Sequence, residues 1–259
     1  MKTIGLALGG GGALGAAHLA ILEKLDAADF KVNEVAGSSA GAIVGLLYAS
    51  GGARKVEAFL ETAKTEIFRP RNILTAITPG ALFARLEEML RKFVPERRFE
   101  DLGLKLSVTV TPLLEGRPAV VGTGDPVKAV LASAAYPGVF PVQVIDGRPC
   151  LDGGLTRNVP VDVLRLRGHG FVIASSLNTV DRLPRISFSR ARVSARAVDI
   201  AFCEFERLQA DQADFVFRPR LTRSYWYRFD KLDAILREAR SGAAGVMDDL
   251  RAALARTSG

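Results

Sequence analysis

A G-x-S-x-G pattern places one serine where it can act as a nucleophile. The pattern is Gly37-Ser38-Ser39-Ala40-Gly41, and it lies between a predicted strand at Val32–Ala36 and a predicted helix at Ala42–Ala49. In this context the small residues allow a sharp strand-to-helix turn that exposes the serine hydroxyl. The pattern predicts that Ser39 is the nucleophile of an acyl-transfer reaction. A glycine-rich turn with a helix-capping serine is the structural alternative.

A glycine-rich loop supplies a second element that acyl transfer requires. The tetrahedral intermediate carries an oxyanion, which backbone amides can stabilise. Gly10, Gly11 and Gly12 follow a predicted strand at Ile4–Leu8 and precede a predicted helix. Glycines allow their N–H groups to converge on one oxygen, and the helix N-terminus favours negative charge there. We expect these three amides to form an oxyanion hole at the same sheet edge as Ser39.

The same loop also fits a dinucleotide-binding fingerprint, with glycines at positions 10, 12 and 15. That fingerprint requires an acidic residue at the end of the second strand, where it binds a ribose. Here the second strand leads directly into Gly37, and Glu34 lies within or before that strand. The sequence therefore favours an oxyanion loop over a nucleotide site, and we expect no cofactor.

The two histidines of the chain are poorly placed to accept the serine proton. His18 falls on the apolar stripe of the first predicted helix, which is typical of a packed structural histidine. His169 would complete the order Ser39, Asp152, His169 of an α/β-hydrolase triad. However, His169 precedes the predicted strand at Phe171–Ser175, so it is expected at the amino edge of the sheet, away from the serine.

An aspartate is therefore the predicted base. Asp152 follows the predicted strand at Arg148–Leu151, and Gly153 and Gly154 allow the backbone to bend around its carboxylate. A partly desolvated aspartate that is hydrogen-bonded to Ser39 can orient the hydroxyl and accept its proton. An Asx-turn at a strand end is the structural alternative.

The elements that must position these residues alternate between strand and helix. This alternation predicts an α/β fold with a mainly parallel central sheet and helices on both faces. We predict a single hydrolase domain over residues 1–259. The predicted strands are Ile4–Leu8, Val32–Ala36, Leu104–Thr111, Phe171–Ser175 and Asp214–Phe217, with a hairpin of Val142–Ile145 and Arg148–Leu151.

Residues 54–100 are charged and helical in pattern, and they include one clean apolar stripe. Prolines at positions 70, 79 and 95 divide the region. The segment is expected either to form a lid or to contribute outer helices. The stripe consists of Leu82, Leu86, Met89, Leu90 and Phe93.

Composition limits the classes of function. With 48% hydrophobic and 24% charged residues, the chain is typical of a folded globular protein and not of a disordered one. Two cysteines without zinc-binding spacing favour a reducing, cytoplasmic compartment, and we expect no metal site. The sequence contains no run of 18 apolar residues, so no transmembrane helix is predicted. A net charge of +7 favours anionic partners or a basic solvated face. We expect no nucleic-acid partner, and the sequence does not predict the oligomeric state.

An arginine-rich segment between Asp181 and Asp199 contains no acidic residue. Near an anionic leaflet each basic residue can contribute about 1 kcal/mol to binding. Two interpretations stay open: reversible peripheral docking on anionic membranes, or a solvated helix face whose arginines pair with acids elsewhere. The segment contains Arg182, Arg185, Arg190, Arg192 and Arg196, interleaved with Ile186, Phe188 and Val193.

In combination, these motifs resemble those of the patatin-like phospholipases, particularly the compact bacterial members. The resemblance extends from about residue 4 to residue 177 and implies a three-layer α/β fold and a Ser–Asp dyad without histidine. It also implies hydrolysis of acyl esters of lipids, of the phospholipase A or lysophospholipase type, with no obligatory metal. The matching motifs are Gly10–Gly15, Gly37–Gly41 and Asp152-Gly153-Gly154, supported by Ser133–Pro141 and Asn158-Val159-Pro160, and within them Gly15, Gly37, Gly41, Gly153 and Gly154 are expected to support the motif geometry.

One position departs from the family pattern. Many members have Arg or Lys where this chain has Leu14, and that cation is thought to assist the oxyanion loop. We expect a hydrolase of lipid esters. A general carboxylesterase acting on soluble esters, or a non-catalytic module that binds acyl lipid, is the alternative.

Overall fold

The computed structural model describes residues 2–67, 79–178, 189–221 and 226–257. In these residues a central sheet has the strand order β5-β6-β3-β2-β1-β7-β8, and β4 pairs with β3 off this path. The strands are β1 Ile4–Leu8, β2 Glu34–Gly37, β3 Lys105–Pro112, β4 Ala119–Val121, β5 Gln143–Ile145, β6 Arg148–Asp152, β7 Phe171–Ser175 and β8 Phe215–Phe217.

Helices follow most of the strands, as the alternating pattern predicts. A short 3-10 helix at Gly12–Ala17 leads directly into the first α-helix. The α-helices are α1 His18–Ala27, α2 Ala40–Glu66, α3 Pro79–Phe93, α4 Pro126–Ser133, α5 Val161–Leu166, α6 Arg190–Ala210, α7 Leu232–Gly242 and α8 Val246–Arg256.

The sheet is mainly parallel, in agreement with the sequence prediction. Strands β3, β2, β1, β7 and β8 are mutually parallel neighbours. The β5–β6 hairpin is antiparallel, as predicted, and β6 and β4 both pair with β3 in the antiparallel direction. The site is therefore built where an antiparallel hairpin joins a parallel sheet.

Helices pack on both faces of the sheet through apolar side chains. Alternate residues of a strand point to opposite faces. Leu6 and Leu8 of β1 belong to the large core that contains apolar residues of α1, α2, α3, α7 and α8. Ala7 belongs to a second core on the other face, where Val163 and Leu164 of α5 and Ala210 of α6 pack. The predicted three-layer architecture is therefore present.

The helix after Ser39 is longer than predicted because its predicted stop is a kink. The backbone of α2 leaves the helical region at Gly51 and at Gly52, where φ is 72°. Asp26 of α1 accepts a hydrogen bond from the Ala53 amide at 2.8 Å, so it caps the segment that follows. Glycine signals thus mark a break in the axis, and a partner from another helix allows the chain to continue.

Within residues 54–100, α3 packs onto the core as an outer helix. Leu86, Met89 and Leu90 of the predicted stripe are buried. The rings of Phe59 and Phe93 lie 5.4 Å apart in edge-to-face contact, which joins α3 to α2. Residues 68–78 lie outside the described part of the chain. In the described ranges, no helix combines the length and hydropathy that a membrane span requires.

Candidate active site

Ser39 occupies a strained turn between β2 and α2. Its backbone has φ 51° and ψ −122°, a region that non-glycine residues rarely adopt and that costs roughly 1–3 kcal/mol. Two contacts over-determine this conformation. The Ser39 amide donates to the Ser133 hydroxyl at 2.7 Å. Gly41 packs so closely on the carbonyl oxygens of Leu8 and Gly9 that no side chain fits there. The serine hydroxyl therefore projects from a rigid elbow.

The hydroxyl of Ser39 donates a hydrogen bond of 2.7 Å to Oδ2 of Asp152. The other oxygen, Oδ1, accepts the Gly154 amide at 2.7 Å. Asp152 is only 3% exposed. Burial raises its pKa to about 6, against the opposing effect of the hydrogen bonds from Ser39 and Gly154. A carboxylate with this pKa accepts a proton more readily than an ordinary aspartate, and it is already in hydrogen-bond contact with a potential nucleophile.

The register of β3 explains why these two residues meet. Gly37, two residues before Ser39, lies opposite Val108, and Asp152 lies opposite Val110. The sequence argument placed Asp152 at the shared edge because it ends a strand. That rule applies to parallel strands, and β6 is antiparallel to β3. Asp152 reaches the site because β6 begins beyond the carboxyl end of β3 and runs back along it. β6 ends opposite Val110, two residues from the position on β3 that lies opposite Gly37.

The glycine loop lies directly against Ser39. A Cβ atom placed on Gly10 would be 3.0 Å from the Ser39 Cβ, so only glycine allows this approach. The Gly10 amide donates to Oδ1 of Asn158 at 3.0 Å and is therefore occupied in this structure. Within the described residues no hydrogen bond is recorded from the amides of Gly11 and Gly12. These two amides stay available as oxyanion donors.

Leu14 stands where many family members have Arg or Lys, and its side chain points into the protein core. Its side chain is 5% exposed and packs within the large core. Its amide donates to the Gly11 carbonyl at 3.0 Å, which tightens the turn after the glycines. Residue 14 therefore brings no positive charge to this loop.

Both histidines have structural partners, as predicted. His18 is fully buried, and its ring nitrogens lie 2.8 Å from the Ser175 hydroxyl and 2.8 Å from the Gly9 carbonyl oxygen. Burial lowers its pKa to about 4. His169 lies 3.2 Å from Glu34, at the amino ends of β7 and β2. Neither ring hydrogen-bonds to Ser39 or Asp152.

Sequence reasoning assigned no role to two buried polar residues beside the site, although Ser133 begins one of the supporting family motifs. Ser133, the last residue of α4, supports the elbow. Glu206 on α6 accepts a hydrogen bond from Nδ2 of Asn158 at 2.6 Å and so lies beneath the glycine loop. The available signal for Glu206 was its place on the buried stripe of α6, where an acid among residues such as Ala210 requires partners. In the described ranges, no group of three or more His, Cys, Asp or Glu side chains is arranged to hold a metal ion.

Comparison with known proteins identifies relatives of this chain. Residues 6–165 match the family model of the patatin-like phospholipases. An uncharacterized NTE family protein of Mycobacterium tuberculosis is 33% identical over 181 residues, which cover 68% of this chain and 49% of that protein. The human patatin-like phospholipase domain-containing protein 6 is 32% identical over 190 residues, covering 70% of this chain and 14% of the relative.

A lysophospholipase of Yarrowia lipolytica, NTE1, is 28% identical over 188 residues, covering 70% of this chain and 13% of that protein. The match therefore spans less than half of the length of these relatives. Among solved structures, VipD from Legionella pneumophila shares the fold, with a TM-score of 0.59 at 12% identity over 96% of this chain and 67% of VipD. The family match extends over the elbow, the glycine loop and Asp152, and this chain belongs to the patatin-like phospholipase family.

Proposed function

We propose that this chain hydrolyses acyl esters of lipids, as a phospholipase A or lysophospholipase, with Ser39 as nucleophile and Asp152 as its base. The observation that carries the proposal is the 2.7 Å hydrogen bond from the Ser39 hydroxyl to a buried carboxylate, at a strained elbow beside a glycine loop. Relatives named as lysophospholipase and as patatin-like phospholipase support a lipid ester as the substrate class.

The reaction follows from this geometry in two halves. Asp152 accepts the hydroxyl proton while Ser39 Oγ attacks the ester carbonyl carbon, and the carbonyl oxygen becomes an oxyanion. Collapse of the intermediate breaks the ester bond. The leaving alkoxide takes the proton from Asp152, and the acyl group stays on Ser39. A water molecule then gives a proton to Asp152 and attacks the acyl carbon. Collapse of this second intermediate breaks the bond to Ser39 Oγ, which takes the proton back from Asp152 as the acid is released.

The oxyanion requires hydrogen-bond donors that face the space between the glycine loop and the elbow. The amides of Gly11 and Gly12 fulfil this role in the proposal. The Ala40 amide adds a third donor, because Ala40 is the first residue of α2 and its N–H has no intrahelical acceptor. Gly10 contributes by its close approach to Ser39 and not by its own amide, which Asn158 occupies.

A serine-directed fluorophosphonate probe tests the nucleophile. We expect the wild-type protein to be labelled and Ser39→Ala to be unlabelled. Ser38→Ala is a matched control, because the neighbouring hydroxyl is buried and has no hydrogen-bond partner in the described residues. Labelling of Ser39→Ala at the wild-type level would refute the assignment. Absence of labelling in all three proteins would favour a module that binds acyl lipid without turnover.

A substrate panel tests the substrate class. We expect phospholipids and lysophospholipids to be hydrolysed with a higher kcat/KM than short soluble esters. The reverse order would favour a general carboxylesterase. In both cases Ser39→Ala must lose the activity, so that the panel measures this site and not a contaminant.

Peripheral docking on an anionic membrane is a second part of the proposal. Exposed aromatic side chains lie beside the glycine loop. The rings of Tyr136 and Trp226 lie 5.1 Å apart, and the Trp226 carbonyl accepts the Ala13 amide beside the glycine loop. Burial raises the pKa of Tyr136, and the negative charges of Asp152 and of Asp199 on α6 raise it further.

The first half of α6 carries both charge and apolar surface. Arg190 and Arg192 are exposed, whereas Arg196 is half-buried. Val198 is 64% exposed, and Val193 and Ile200 are also exposed. Arg182, Arg185, Ile186 and Phe188 of the predicted segment lie outside the described residues. Arginines beside exposed aliphatic side chains suit a surface of anionic headgroups over acyl chains.

Co-sedimentation with phosphatidylglycerol-containing vesicles tests the docking. We expect binding at low salt that decreases at high salt, and at least a roughly thirtyfold weaker partitioning for Arg190→Glu/Arg192→Glu, since each lost arginine removes about 1 kcal/mol and each glutamate adds repulsion. Lys31→Glu/Lys105→Glu makes the same charge change at the amino edge of the sheet, where both lysines are exposed. Equal losses in the two double variants would show only the effect of net charge and would contradict a docking face on α6.

A further inference from the structure

Glu206 is a buried carboxylate that the mechanism above does not use. It lies on α6 with no exposed surface. Every partner recorded for its two oxygens is a hydrogen-bond donor, and each oxygen is needed as an acceptor. The five donors are Asn158 Nδ2 at 2.6 Å, Asn178 Nδ2 at 2.5 Å, Asn178 N at 3.1 Å, Leu177 N at 2.9 Å and the Ser176 hydroxyl at 2.7 Å.

Four of the five partners can only donate: the Nδ2 groups of Asn158 and Asn178 and the backbone amides of Leu177 and Asn178. The Ser176 hydroxyl can also accept, so it can take a proton from Oε1 without loss of a contact. Burial raises the pKa of the carboxyl, and the hydrogen bonds from Asn178, Ser176 and Leu177 oppose that effect. In either protonation state Oε2 is held as an acceptor, because both of its partners are Nδ2 groups that donate.

Oε2 of Glu206 fixes the orientation of the Asn158 side-chain amide. Because Nδ2 of Asn158 donates to Glu206, its Oδ1 must face the other way, where it accepts the Gly10 amide at 3.0 Å. The Asn158 amide nitrogen and that of Val159 both donate to the Gln209 side chain, which lies one turn along α6 and holds the Asn158 backbone in place. The order of donors and acceptors thus runs from Glu206 through Asn158 to the glycine loop.

Asn178 makes the matching contact on the other side of Gly10. Its Nδ2 donates to Glu206 and also to the Gly10 carbonyl oxygen at 3.0 Å. The Gly10 carbonyl and the Gly11 amide belong to one planar trans peptide, so they point in opposite directions. When Asn178 holds the carbonyl toward the buried carboxylate, the Gly11 N–H must point away from it.

We propose that Glu206 is a positioning residue that, through Asn158 and Asn178, holds both peptide groups of Gly10 so that the Gly11 amide faces the oxyanion. This inference rests on the proposed function, because it assigns the loop a role in ester hydrolysis. Glu206 touches no reacting atom. Its effect is to set the direction of a backbone donor that the glycine residues alone leave free to rotate.

Glu206→Gln is the informative substitution because it keeps the shape and reverses one group. A glutamine NH2 at the position of Oε2 would face the Nδ2 groups of Asn158 and Asn178, so one of these amides must rotate. At the position of Oε1 it would leave the Leu177 and Asn178 backbone amides without their acceptor. Rotation of Asn158 would bring its NH2 against the Gly10 N–H. Glu204→Gln is the matched control, since Glu204 is two residues earlier on the same helix, exposed, and paired with Arg207.

Turnover of an ester and of the corresponding thionoester measures the oxyanion contact directly. The thionoester places sulfur, a weaker hydrogen-bond acceptor, where the oxyanion oxygen would be. We expect Glu206→Gln to lower kcat for the ester by roughly tenfold to a hundredfold, with KM changed less than about threefold, because one oxyanion donor is worth about 10²–10³ in kcat. We also expect the preference for ester over thionoester to decrease. A purely structural loss would lower both rates equally and leave this preference unchanged.

Amide hydrogen exchange provides the readout that does not depend on turnover. We expect exchange at residues 9–12 to accelerate in folded Glu206→Gln and to match the wild-type rate in Glu204→Gln. Unchanged exchange there, or an unchanged ester preference, would overturn the inference. If the wild-type protein hydrolyses no ester and is not labelled at Ser39, the proposed function has failed, and exchange alone then decides whether Glu206 holds the loop.

Discussion

The hydroxyl of Ser133 accepts the backbone amide of Ser39 at a distance of 2.7 Å. Ser133 is fully buried at the end of α4, 94 residues further along the chain. This bond satisfies a donor at a strained turn, so the elbow is stabilised without use of the Ser39 hydroxyl. It also means that the amide of Ser39 itself is not free to bind an oxyanion.

Removal of this contact should affect both stability and rate. In Ser133→Ala the Ser39 N–H loses its partner in a buried place, which costs about 1–3 kcal/mol of unfolding free energy. We expect kcat to decrease by roughly tenfold as well, since the elbow is no longer held at its positive φ. Ser107→Ala is the control. It breaks a buried hydrogen bond to Glu34 at the amino edge, and a similar loss of kcat there would argue against a specific role for Ser133.

The pH dependence of hydrolysis should report Asp152. The base must be ionised to accept the serine proton, and burial raises its pKa to about 6. We therefore expect kcat/KM to increase with pH through about 6 and then to level off. A profile that is flat from pH 5 to pH 8 would contradict the assignment of Asp152 as the base.

Substitution of the candidate bases should give a clear ranking. We expect Asp152→Asn to lose orders of magnitude in turnover, because general-base and positioning effects are each large. His169→Ala should stay within about tenfold of wild type, since its ring contacts Glu34 at the other edge of the sheet. The opposite ranking, measured on folded proteins, would restore a triad that includes His169.

The Asp152→Asn substitution should stabilise the protein at high pH. The Asp152 pKa of about 6 in the folded state exceeds the value of about 3.9 expected in the unfolded chain. Between these values the folded state binds more protons, so this group's contribution to stability is present below pH 4 and is lost as the pH rises through 6. The shift corresponds to about 3 kcal/mol. Urea unfolding should show Asp152→Asn to be more stable than wild type at pH 8 and not at pH 4, because asparagine can still accept from Gly154 and donate to Ser39.

His18 should have the opposite linkage. Burial lowers its pKa to about 4, below the value of about 6.5 in the unfolded chain. Its contribution to stability is therefore present above pH 6.5 and is lost as the pH falls through 4. In wild type this effect partly cancels that of Asp152, so each appears only by comparison with its own variant. We expect His18→Gln to be less stable than wild type at pH 7, with a difference that decreases toward pH 4. A difference that is constant with pH would contradict a neutral, buried ring.

Hydrolysis should not depend on a divalent metal. The proposed chemistry uses a carboxylate base and backbone amides, and neither needs a Lewis acid. We expect the same kcat/KM before and after dialysis against a chelator. Loss of activity that calcium or zinc restores would count against the proposed mechanism.

Features fixed by local pattern were predictable, and features fixed by distant partners were not. The strands Ile4–Leu8 and Phe171–Ser175 match their predictions residue for residue, because a short apolar run between turn residues leaves little alternative. The turn at Ser39 was predicted from its local pattern, although the contact with Ser133 that holds it was not. The direction of β6 depends on its pairing with β3, and α2 continues past Gly51 because Asp26 of another helix caps it. Pattern reading cannot supply such partners.

The second predicted strand shows the same limit at the scale of single residues. It begins at Glu34 and not at Val32, and Asn33 meets β1 in a different way. The Asn33 side chain, instead of a ladder carbonyl, accepts the Ile4 amide at 2.7 Å. Glu206 and Ser133 belong to the same class, since each matters through residues far away in the chain.

The junction of the parallel sheet with the antiparallel hairpin has a consequence for the stage of folding at which the proposed activity can appear. Ser39 and Asp152 are 113 residues apart, and both depend on β3 for their register. Contacts of such high sequence separation form late in folding, because the entropy of closing the long loop must be overcome first. During synthesis the serine leaves the ribosome well before its base, so on the proposed mechanism a partly made chain is inert toward lipids. Recovery of hydrolysis after dilution from denaturant should accordingly coincide with the last folding step. The rate at which activity returns then reports the rate at which the sheet is completed.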